Sequence, residues 1–316
     1  MPQHQQIIST VPADMDGQRL DQALATLYPE YSRSQIQKWI KAGHIRVDDK
    51  ILKPKDRLTG GEEILIETVL EVQTDFAAED IPLDIVYEDD DILVLNKPAD
   101  LVVHPAAGNW SGTLVNALLH YKPTLEMLPR AGIVHRLDKD TTGLMVVAKT
   151  LIAHTSLVEQ LQARDVSREY LALVHGNVVA GSTIEANIGR HPVDRKRQAV
   201  TEGGKEAVTH YRIEERFPHH TLLRVALETG RTHQIRVHLS WKHMPIVGDQ
   251  VYGGRPRVPA GASESVRQAV QQFPRQALHA TRLGLHHPVS GDYLQWQVAV
   301  PADIAALLDT LRAELA

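Results

Sequence analysis

An aspartate close to an arginine, in a loop between two apolar runs, is the most chemically suggestive feature of the sequence. Asp138 lies two residues after Arg136, and the apolar, partly β-branched run 143–148 that follows predicts a buried strand. A cation this close favours the charged form of a carboxylate, so Asp138 could act as a nucleophile or a base. A surface ion pair is the competing interpretation, because such pairs are common and weak. Residue types alone do not decide between the two.

Three other polar groups end apolar runs and are candidates for the same site. The first group is residues 96–98 together with the nearby residues 103–105, the second is residues 168–170, and the third is residues 230–238. A helix that starts after Gly230 would offer free backbone amides and arginines to a phosphate, although arginines in solvent explain the pattern equally well. Tyr170 could be a core aromatic at the start of a strand. These groups need a wider context before a role can be assigned.

No metal site is predicted. His233 and His238 are five residues apart, which is not the spacing of a zinc pair on one helical face, and no HExxH motif is present. The consecutive aspartates 89–91 are assigned to a turn between two strands. The sequence also has no P-loop and no GxGxxG motif, so no nucleotide or other cofactor is predicted.

Composition is that of an ordinary globular protein. The chain has 316 residues, of which 43% are hydrophobic and 23% charged, enough for two domains. It has no cysteine, no apolar run of membrane-spanning length and no secretion signal, so a cytoplasmic location without membrane contact is expected. The net charge of −5 argues against a protein that coats nucleic acid indiscriminately.

Charge is nevertheless uneven, and one segment near the amino terminus is basic. Between residues 32 and 57 there are eight lysines and arginines but only three aspartates. Apolar residues at helical spacing predict helices over 19–27 and from 33 to about 42, the second capped by Ser32, and alternating residues predict strands at 44–47 and 63–66. These elements define a small module at residues 16–68.

An acidic, patternless segment at 69–80 is interpreted as a linker, and a second domain is expected at 81–316. In this domain the predicted strands outnumber the helices and do not alternate regularly with them. That order predicts an α+β fold built on a mixed, mainly antiparallel sheet, rather than a doubly wound one.

Taken together, residues 132–143, 168–170 and 230–236 resemble motifs of the RluA/RluD family of pseudouridine synthases, and the similarity spans nearly the whole chain. The basic module is similar to the αL-type RNA-binding module of some ribosomal proteins. Residues 81–87 and 276–280 are most similar to the RluD branch of the family. Two departures are small, with aspartates at 48 and 49 where an Asn-Gly turn is more usual, and Thr142 where serine is common.

The resemblance implies roles for individual residues in isomerising a uridine within RNA. Asp138 would attack either the anomeric carbon or the proton on the neighbouring sugar carbon, Arg231 would pair with that carboxylate, and Tyr170 would stack near the base. Arg136 would fill the space left by the extruded uridine, and Ile235 would form the pocket wall. The other residues expected to bind substrate are His135 and Thr142 at the site and Arg33, Lys38, Lys41 and Arg46 in the module, where the cations would meet phosphates.

The resemblance also implies the substrate. The expected target is large-subunit ribosomal RNA or a pre-ribosomal particle, at uridines 1911, 1915 and 1917 of the 23S helix 69 stem-loop, modified by a monomer. Two alternatives remain open at this point. One is a noncatalytic ribosome-assembly factor that only binds RNA, and the other is a hydrolase that uses Asp138 to release the base.

Overall fold

The structure is a computed structural model that describes residues 3–28, 33–70, 76–105, 110–194, 197–254 and 261–315. The chain divides into two compact units, with the boundary between Asp75 and Phe76. None of the described helices is both long and apolar enough to cross a membrane.

The N-terminal unit combines two helices with a three-stranded antiparallel sheet. Its elements are β1 (Gln3–Thr10), α1 (Leu20–Leu27), α2 (Arg33–Ala42), β2 (Ile45–Val47) and β3 (Glu63–Leu70), with a short 3-10 turn at Ala13–Met15. The sheet order is β1-β3-β2. Apolar residues at helical spacing, such as Leu20 and Leu24 in α1 and Ile36 and Ile40 in α2, are buried in its core, as an amphipathic helix requires.

Strand β1 was not predicted, because its sequence is mostly polar. Ile7 packs against the core of this unit while Ile8 is exposed. The strand is held by its pairing with β3, along the whole register from Gln3 opposite Leu70 to Thr10 opposite Glu63. The proposed cap at Ser32 lies outside the described residues.

The second unit is built on a nine-stranded sheet flanked by helices. Its elements are β4 (Ile85–Glu88), β5 (Ile92–Lys97), α3 (Leu114–Tyr121), β6 (Thr142–Ala148), α4 (Leu151–Ala163), β7 (Ser167–His175), β8 (Ser182–Glu185), β9 (Ile188–Arg190), β10 (Gln198–Val200), β11 (Val208–Arg216), β12 (His220–Leu227), α5 (Gln234–Trp241), α6 (Glu264–Gln272), β13 (Leu278–His286), β14 (Tyr293–Gln297) and α7 (Ala302–Ala313), with 3-10 turns at Pro123–Met127 and Pro129–Gly132.

The large sheet has the order β4-β5-β6-β13-β7-β12-β11-β8, and β14 pairs with β13. Within this sheet, β6 and β13 are parallel and the other pairings are antiparallel, while β9 and β10 form a separate pair. The predicted α+β fold with a mixed, mainly antiparallel sheet is therefore confirmed. Strand β6, which closely follows Asp138, is buried at every residue and lies near the middle of the sheet.

The segment 69–80, interpreted from the sequence as a linker, is ordered at both ends. Its first two residues belong to β3, and residues 71–75 lie outside the described part of the chain. Phe76 then packs against the large core, and the backbone N–H of Glu79 donates a hydrogen bond to the carbonyl of Asn116. The acidic composition of the segment gave no sign of these contacts, because they are made by one aromatic side chain and by the backbone of residue 79.

Candidate active site

The loop that carries Asp138 is fixed at both ends by close backbone packing. Gly132 has a φ of 80°, and a Cβ there would lie 2.0 Å from the carbonyl oxygen of Ala148. Gly143 has a φ of 114°, and a Cβ there would lie 2.2 Å from the carbonyl oxygen of Ala280. Only glycine fits such positions, so the sequence dictates where the loop leaves and rejoins the sheet.

A buried lysine anchors the middle of this loop. Lys97, at the end of β5, is fully buried, and its Nζ donates hydrogen bonds to the carbonyls of Pro98, Leu101 and Lys139 at 2.7, 2.9 and 2.8 Å. Burial lowers the pKa of Lys97 to about 7, although nearby carboxylates oppose this shift. Because Lys139 directly follows Asp138, the lysine holds the backbone of the catalytic candidate in place.

Asp138 itself is bonded through one of its two oxygens. Its Oδ2 accepts a hydrogen bond of 2.9 Å from Nη1 of Arg236, in the first turn of α5. Its Oδ1 accepts no hydrogen bond from the described residues, and the nearest partner is Nε2 of His233 at 3.8 Å. The side chain is 15% exposed. A carboxylate held on one side and open on the other is suited to react through the open oxygen.

Arg236 is in turn fixed by a second carboxylate. Its Nε and Nη2 donate to the two oxygens of Asp249 at 2.7 and 2.9 Å, and Asp249 also accepts from the backbone amides of Val251 and Tyr252. Burial lowers the pKa of Arg236, but the bonds to Asp249 and Asp138 raise it more, so its charge is secure. The bidentate contact with Asp249 therefore holds the guanidinium in one orientation, and in that orientation its Nη1 points to Asp138.

His233 approaches the open side of the carboxylate. It has a φ of 58°, and its Nδ1 lies 2.7 Å from the hydroxyl of Tyr252, which also accepts a hydrogen bond from the amide of Gln198. Burial lowers the pKa of His233, although the Asp138 carboxylate raises it. A neutral His233 would accept a hydrogen bond from the Tyr252 hydroxyl at Nδ1 and direct its Nε2–H toward Asp138.

A cavity of about 1060 Å³ lies over these groups. Tyr170 and Ile235 are 6% and 4% exposed, and burial raises the pKa of the Tyr170 phenol, which keeps it neutral. Arg136 lies at the exposed side of the loop. Of the residues to which the resemblance assigned a role, those that line this cavity are His135, Arg136, Asp138, Tyr170, Arg231 and Ile235.

Arg231 does not make the contact predicted for it. Its Nε donates to the carbonyl of Glu206 at 2.9 Å, while the arginine bonded to Asp138 is Arg236. The reason is the start of α5 at Gln234, which places residue 236 in the first helical turn and leaves residue 231 in the preceding turn. Both arginines lie in the same motif, and sequence reasoning selected the wrong one as the partner of the carboxylate.

Two other predicted substrate contacts have structural partners. Nε2 of His135 accepts a hydrogen bond from the amide of Val146, and burial lowers the pKa of His135 to about 3, so this ring is neutral. Thr142 is buried at the start of β6, where its hydroxyl lies 2.8 Å from Nδ1 of His279, and it does not line the cavity. His135 therefore links the loop to β6, and Thr142 contacts His279 instead of the cavity.

The basic residues of the N-terminal unit are of two kinds. Arg33 donates two hydrogen bonds to the buried carboxylate of Asp21, which offsets its charge. Lys38, Lys41 and Arg46 are exposed, and none of them forms an ion pair with a described residue. Of the four cations expected to bind RNA, these three therefore have no ion-pair partner in the described chain and can meet an anion.

His233, Asp249 and the anchoring role of Lys97 were missed by sequence reasoning. His233 was in the motif but was weighed only as a zinc ligand, and Lys97 was noted without a role. Asp249 has no local signal, because its partner Arg236 is 13 residues away and the two meet only in the folded chain.

The aspartates at 89–91 form a capped turn, as expected. Asp89 accepts hydrogen bonds from the Tyr87 hydroxyl and from the amides of Asp91 and Ile92, and its carboxylate also contacts His287 at 3.1 Å. Asp89, Asp91 and His287 are close enough to hold a metal ion. Their polar atoms are already used in turn and side-chain bonds, which explains the cluster without one.

A carboxylate bonded to arginine in a cavity, in a chain whose separate N-terminal unit presents exposed cations, fits an enzyme that acts on an anionic substrate. Comparison with known proteins makes the class specific. Residues 91–241 match the family model of RNA pseudouridylate synthases, and residues 18–64 match the S4 domain. The chain belongs to the RNA pseudouridylate synthase family and is an RNA pseudouridine synthase, an isomerase, as the sequence resemblance predicted.

Full-length relatives support this assignment. The chain is 55% identical over 315 residues to ribosomal large subunit pseudouridine synthase D of Escherichia coli (strain K12), covering 99% of this chain and 97% of that protein. It is 57% identical over 302 residues to the protein of the same name from Pseudomonas aeruginosa, covering 96% and 94%. Among solved structures, human RNA pseudouridylate synthase domain containing 4 matches with a TM-score of 0.57 and 25% identity, over 72% of this chain and 93% of that one.

Proposed function

We propose that the protein isomerises uridines of large-subunit ribosomal RNA to pseudouridine, with Asp138 as the nucleophile. The substrate is inferred from the relatives of the same length, which are named for the large ribosomal subunit. The finer target is the helix 69 stem-loop, at 23S positions 1911, 1915 and 1917, as the sequence resemblance implied. The single observation that carries the catalytic role is the open Oδ1 of Asp138 beneath the cavity.

The reaction breaks the bond between C1′ of the ribose and N1 of the uracil and makes a bond from C1′ to C5. Oδ1 of Asp138 either attacks C1′ or takes the proton from C2′, and the base then turns within the cavity. As C5 bonds to C1′, Asp138 is displaced from C1′ in the first case, and C2′ regains its proton in the second. The C5 proton then leaves and N1 takes up a proton, so product and substrate have the same composition and the reaction is redox-neutral. It needs no energy donor, and we therefore propose no cofactor.

Neighbouring residues support these steps. Arg236, rather than Arg231, holds the carboxylate in position, because its guanidinium bonds both Asp138 and Asp249. Tyr170 and Ile235 both line the cavity, which supports assigning them to the wall against which the base stacks, and we assign Tyr170 a part in removing the C5 proton. These groups are preorganised, which is how a site stabilises charge at low cost during the reaction.

The target uridine must leave its stack to reach Asp138. Flipping a nucleotide costs a few kcal/mol, less in a loop than in a paired stem. We propose that Arg136, exposed at the cavity rim, occupies the space that the uridine vacates. The N-terminal unit is the RNA-binding module and the second unit the catalytic domain, with Lys38, Lys41 and Arg46 meeting phosphates.

The proposed function is tested with RNA fragments and one isosteric variant. Wild-type protein is incubated with a helix 69 stem-loop and with unrelated hairpins, and pseudouridine is measured by nucleoside chromatography with mass spectrometry. We expect conversion of the stem-loop, and an Asp138→Asn variant that binds the same RNA but forms no pseudouridine. Binding without conversion by the wild type would favour the noncatalytic assembly factor, and free uracil would favour the hydrolase.

A further inference from the structure

Arg168 is a buried cation in the cavity wall that no carboxylate of the described chain neutralises. It is 8% exposed and lines the same cavity as Asp138. Its Nη2 donates to the carbonyl of Glu228 at 3.1 Å, and its Nε is buried without a partner among the described residues. A buried charge normally needs an opposite charge, because desolvation costs several kcal/mol. The absence of an opposite charge beside Arg168 in the described chain therefore needs an explanation.

Three other shielded arginines of this unit are compensated. Arg236 bonds Asp249 and Asp138, Arg275 bonds Asp303, and Arg224 bonds Glu214. Arg168 forms no ion pair within the described chain. Burial lowers its pKa, and the only charged or titratable group that opposes this is Tyr170. Arg168 therefore adds a buried positive charge to the cavity wall that has no counter-ion within the described chain.

The guanidinium is placed beside the base-binding wall. Arg168 and Tyr170 are two residues apart in β7, both buried, so their side chains lie on the same face of the sheet. Gly230 packs against the guanidinium, and a Cβ on Gly230 would lie 2.8 Å from Nη1 of Arg168. The absence of a side chain at residue 230 thus leaves room for the arginine in the wall of the cavity.

We propose that Arg168 stabilises the negative charge that forms on the uracil when its bond to C1′ breaks. When the C1′–N1 bond breaks, its electron pair leaves with the base and spreads over N1, O2 and O4. This is true whether Asp138 attacks C1′ or takes the C2′ proton, so the role of Arg168 is the same in both cases. The charge disappears again when C5 bonds to C1′ and the C5 proton leaves. This inference rests on the proposed function.

A phosphate of the RNA is the other anion that Arg168 could meet. The uracil is favoured because Arg168 is more than nine-tenths buried beside Tyr170, and the base enters such a cavity more deeply than its hydrated backbone. The two sources differ in one measurable respect. Only charge on the leaving base depends on the electronic character of the uracil ring.

The test compares uridine with 5-fluorouridine at the target position of the RNA fragment. Fluorine withdraws electrons and stabilises the departing base without help from the protein. Single-turnover loss of the N-glycoside is measured by chromatography and mass spectrometry. Arg168→Met should slow the reaction of uridine by about 10²-fold, as removal of one charge-stabilising donor does. For 5-fluorouridine the decrease caused by the same substitution should be smaller by a factor of at least about ten. Arg168→Lys, which keeps the charge, should recover part of the rate.

Two further variants separate this role from a structural one. Gly230→Ala displaces the guanidinium without removing it and should show the same dependence on fluorine, even if Arg168→Met proves too unstable to assay. Arg282→Met is the matched control, because Arg282 also has a buried, unbonded Nε but pairs with Glu169 and does not line the cavity. It should react like the wild type with both substrates.

Equal slowing of both substrates by Arg168→Met and Gly230→Ala would overturn the inference. So would an Arg168→Met effect that disappears when the phosphates flanking the target are replaced by neutral methylphosphonates, since that would assign Arg168 to the backbone. These outcomes leave the proposed function intact as long as wild-type protein makes pseudouridine. A wild type that forms none would instead refute the proposed function.

Discussion

The two units of the protein each contain an aspartate held by arginine, and the two carboxylates are arranged in opposite ways. Asp21 of the N-terminal unit is fully buried and accepts hydrogen bonds from Arg19, Arg33 and Gln37 on both of its oxygens. Asp138 of the second unit lines the cavity, and among the described residues a side chain donates a hydrogen bond only to its Oδ2, while its Oδ1 accepts none.

This difference separates a structural carboxylate from a reactive one. Burial raises the pKa of Asp21, but the hydrogen bonds from Arg33, Arg19 and Gln37 lower it more, to about 2. All of that interaction energy stabilises the folded unit. At Asp138 one oxygen is used for positioning and the other is left for substrate. Proximity to arginine is therefore a poor sign of catalysis, and an unsatisfied oxygen beside a cavity is a better one.

Removing the bond that positions Asp138 should slow the reaction more than any substitution in the N-terminal unit. Arg236→Lys keeps a positive charge, but lysine cannot bond Asp138 and Asp249 through one planar fork. We expect the single-turnover rate of pseudouridine formation to fall by about 10²-fold, while the RNA affinity changes little. The melting temperature, measured by circular dichroism, checks that the variant is folded.

Arg231→Lys is the matched control for that change. Arg231 lines the same cavity but donates to the carbonyl of Glu206, so the rate should change by less than about tenfold. A larger loss in Arg231→Lys than in Arg236→Lys would restore the partner first predicted from the sequence and refute the assignment made from the structure.

Neutralising the carboxylate of the other unit should affect folding instead of chemistry. Asp21→Asn replaces an ion that accepts bonds from three side chains with a neutral amide. We expect the free energy of unfolding of the N-terminal unit to fall by about 2 kcal/mol. Hydrogen exchange of residues 3–70 in the full-length chain measures this, with exchange in residues 142–148 as the internal control.

The same residue should give this unit a dependence on acid. The pKa of Asp21 is depressed from 3.8 to about 2 in the folded chain, so its stabilising contribution is complete above about pH 4. It should be lost as the pH falls from 4 toward 2, and Asp21→Asn should lack that part of the acid transition. A variant as acid-sensitive as the wild type in hydrogen exchange would show that Asp21 contributes nothing.

The smallest effects are expected on the surface of the N-terminal unit. Lys38→Ala, Lys41→Ala and Arg46→Ala should each weaken RNA binding a few-fold and reduce the slope of log affinity against log salt by about 1. Fluorescence anisotropy at several salt concentrations gives both values. Arg33→Gln is the comparison, since Asp21 already offsets that charge, and a change in slope as large as for Lys38→Ala would contradict this difference.

Much of the fold could be predicted because local patterns encode it. The apolar runs of β5 and β6 and the amphipathic spacing of α1 and α2 identify these elements directly. Strand β1 was missed because it is mostly polar, and it becomes ordered by pairing with β3, which lies far along the chain.

The site was predictable in part because some of its residues belong to local sequence motifs. Asp138, Tyr170 and Ile235 belong to motifs, and the structure brings them to one cavity. The choice between Arg231 and Arg236 depended on where α5 begins, and the position of a helix start is the least certain part of a pattern. Asp249 was missed because its only signal is a contact made after folding.

The contrast between the two carboxylates is tested most directly by the single-turnover rate of pseudouridine formation for Asp138→Asn and Asp21→Asn, measured side by side at saturating protein. Asn fits both positions, so the two variants differ in which carboxylate is lost. We predict a loss of at least about 10⁴-fold for Asp138→Asn and less than about tenfold for Asp21→Asn. An Asp138→Asn variant that reacts within tenfold of the wild type would contradict the assignment of the open carboxylate as the reacting group.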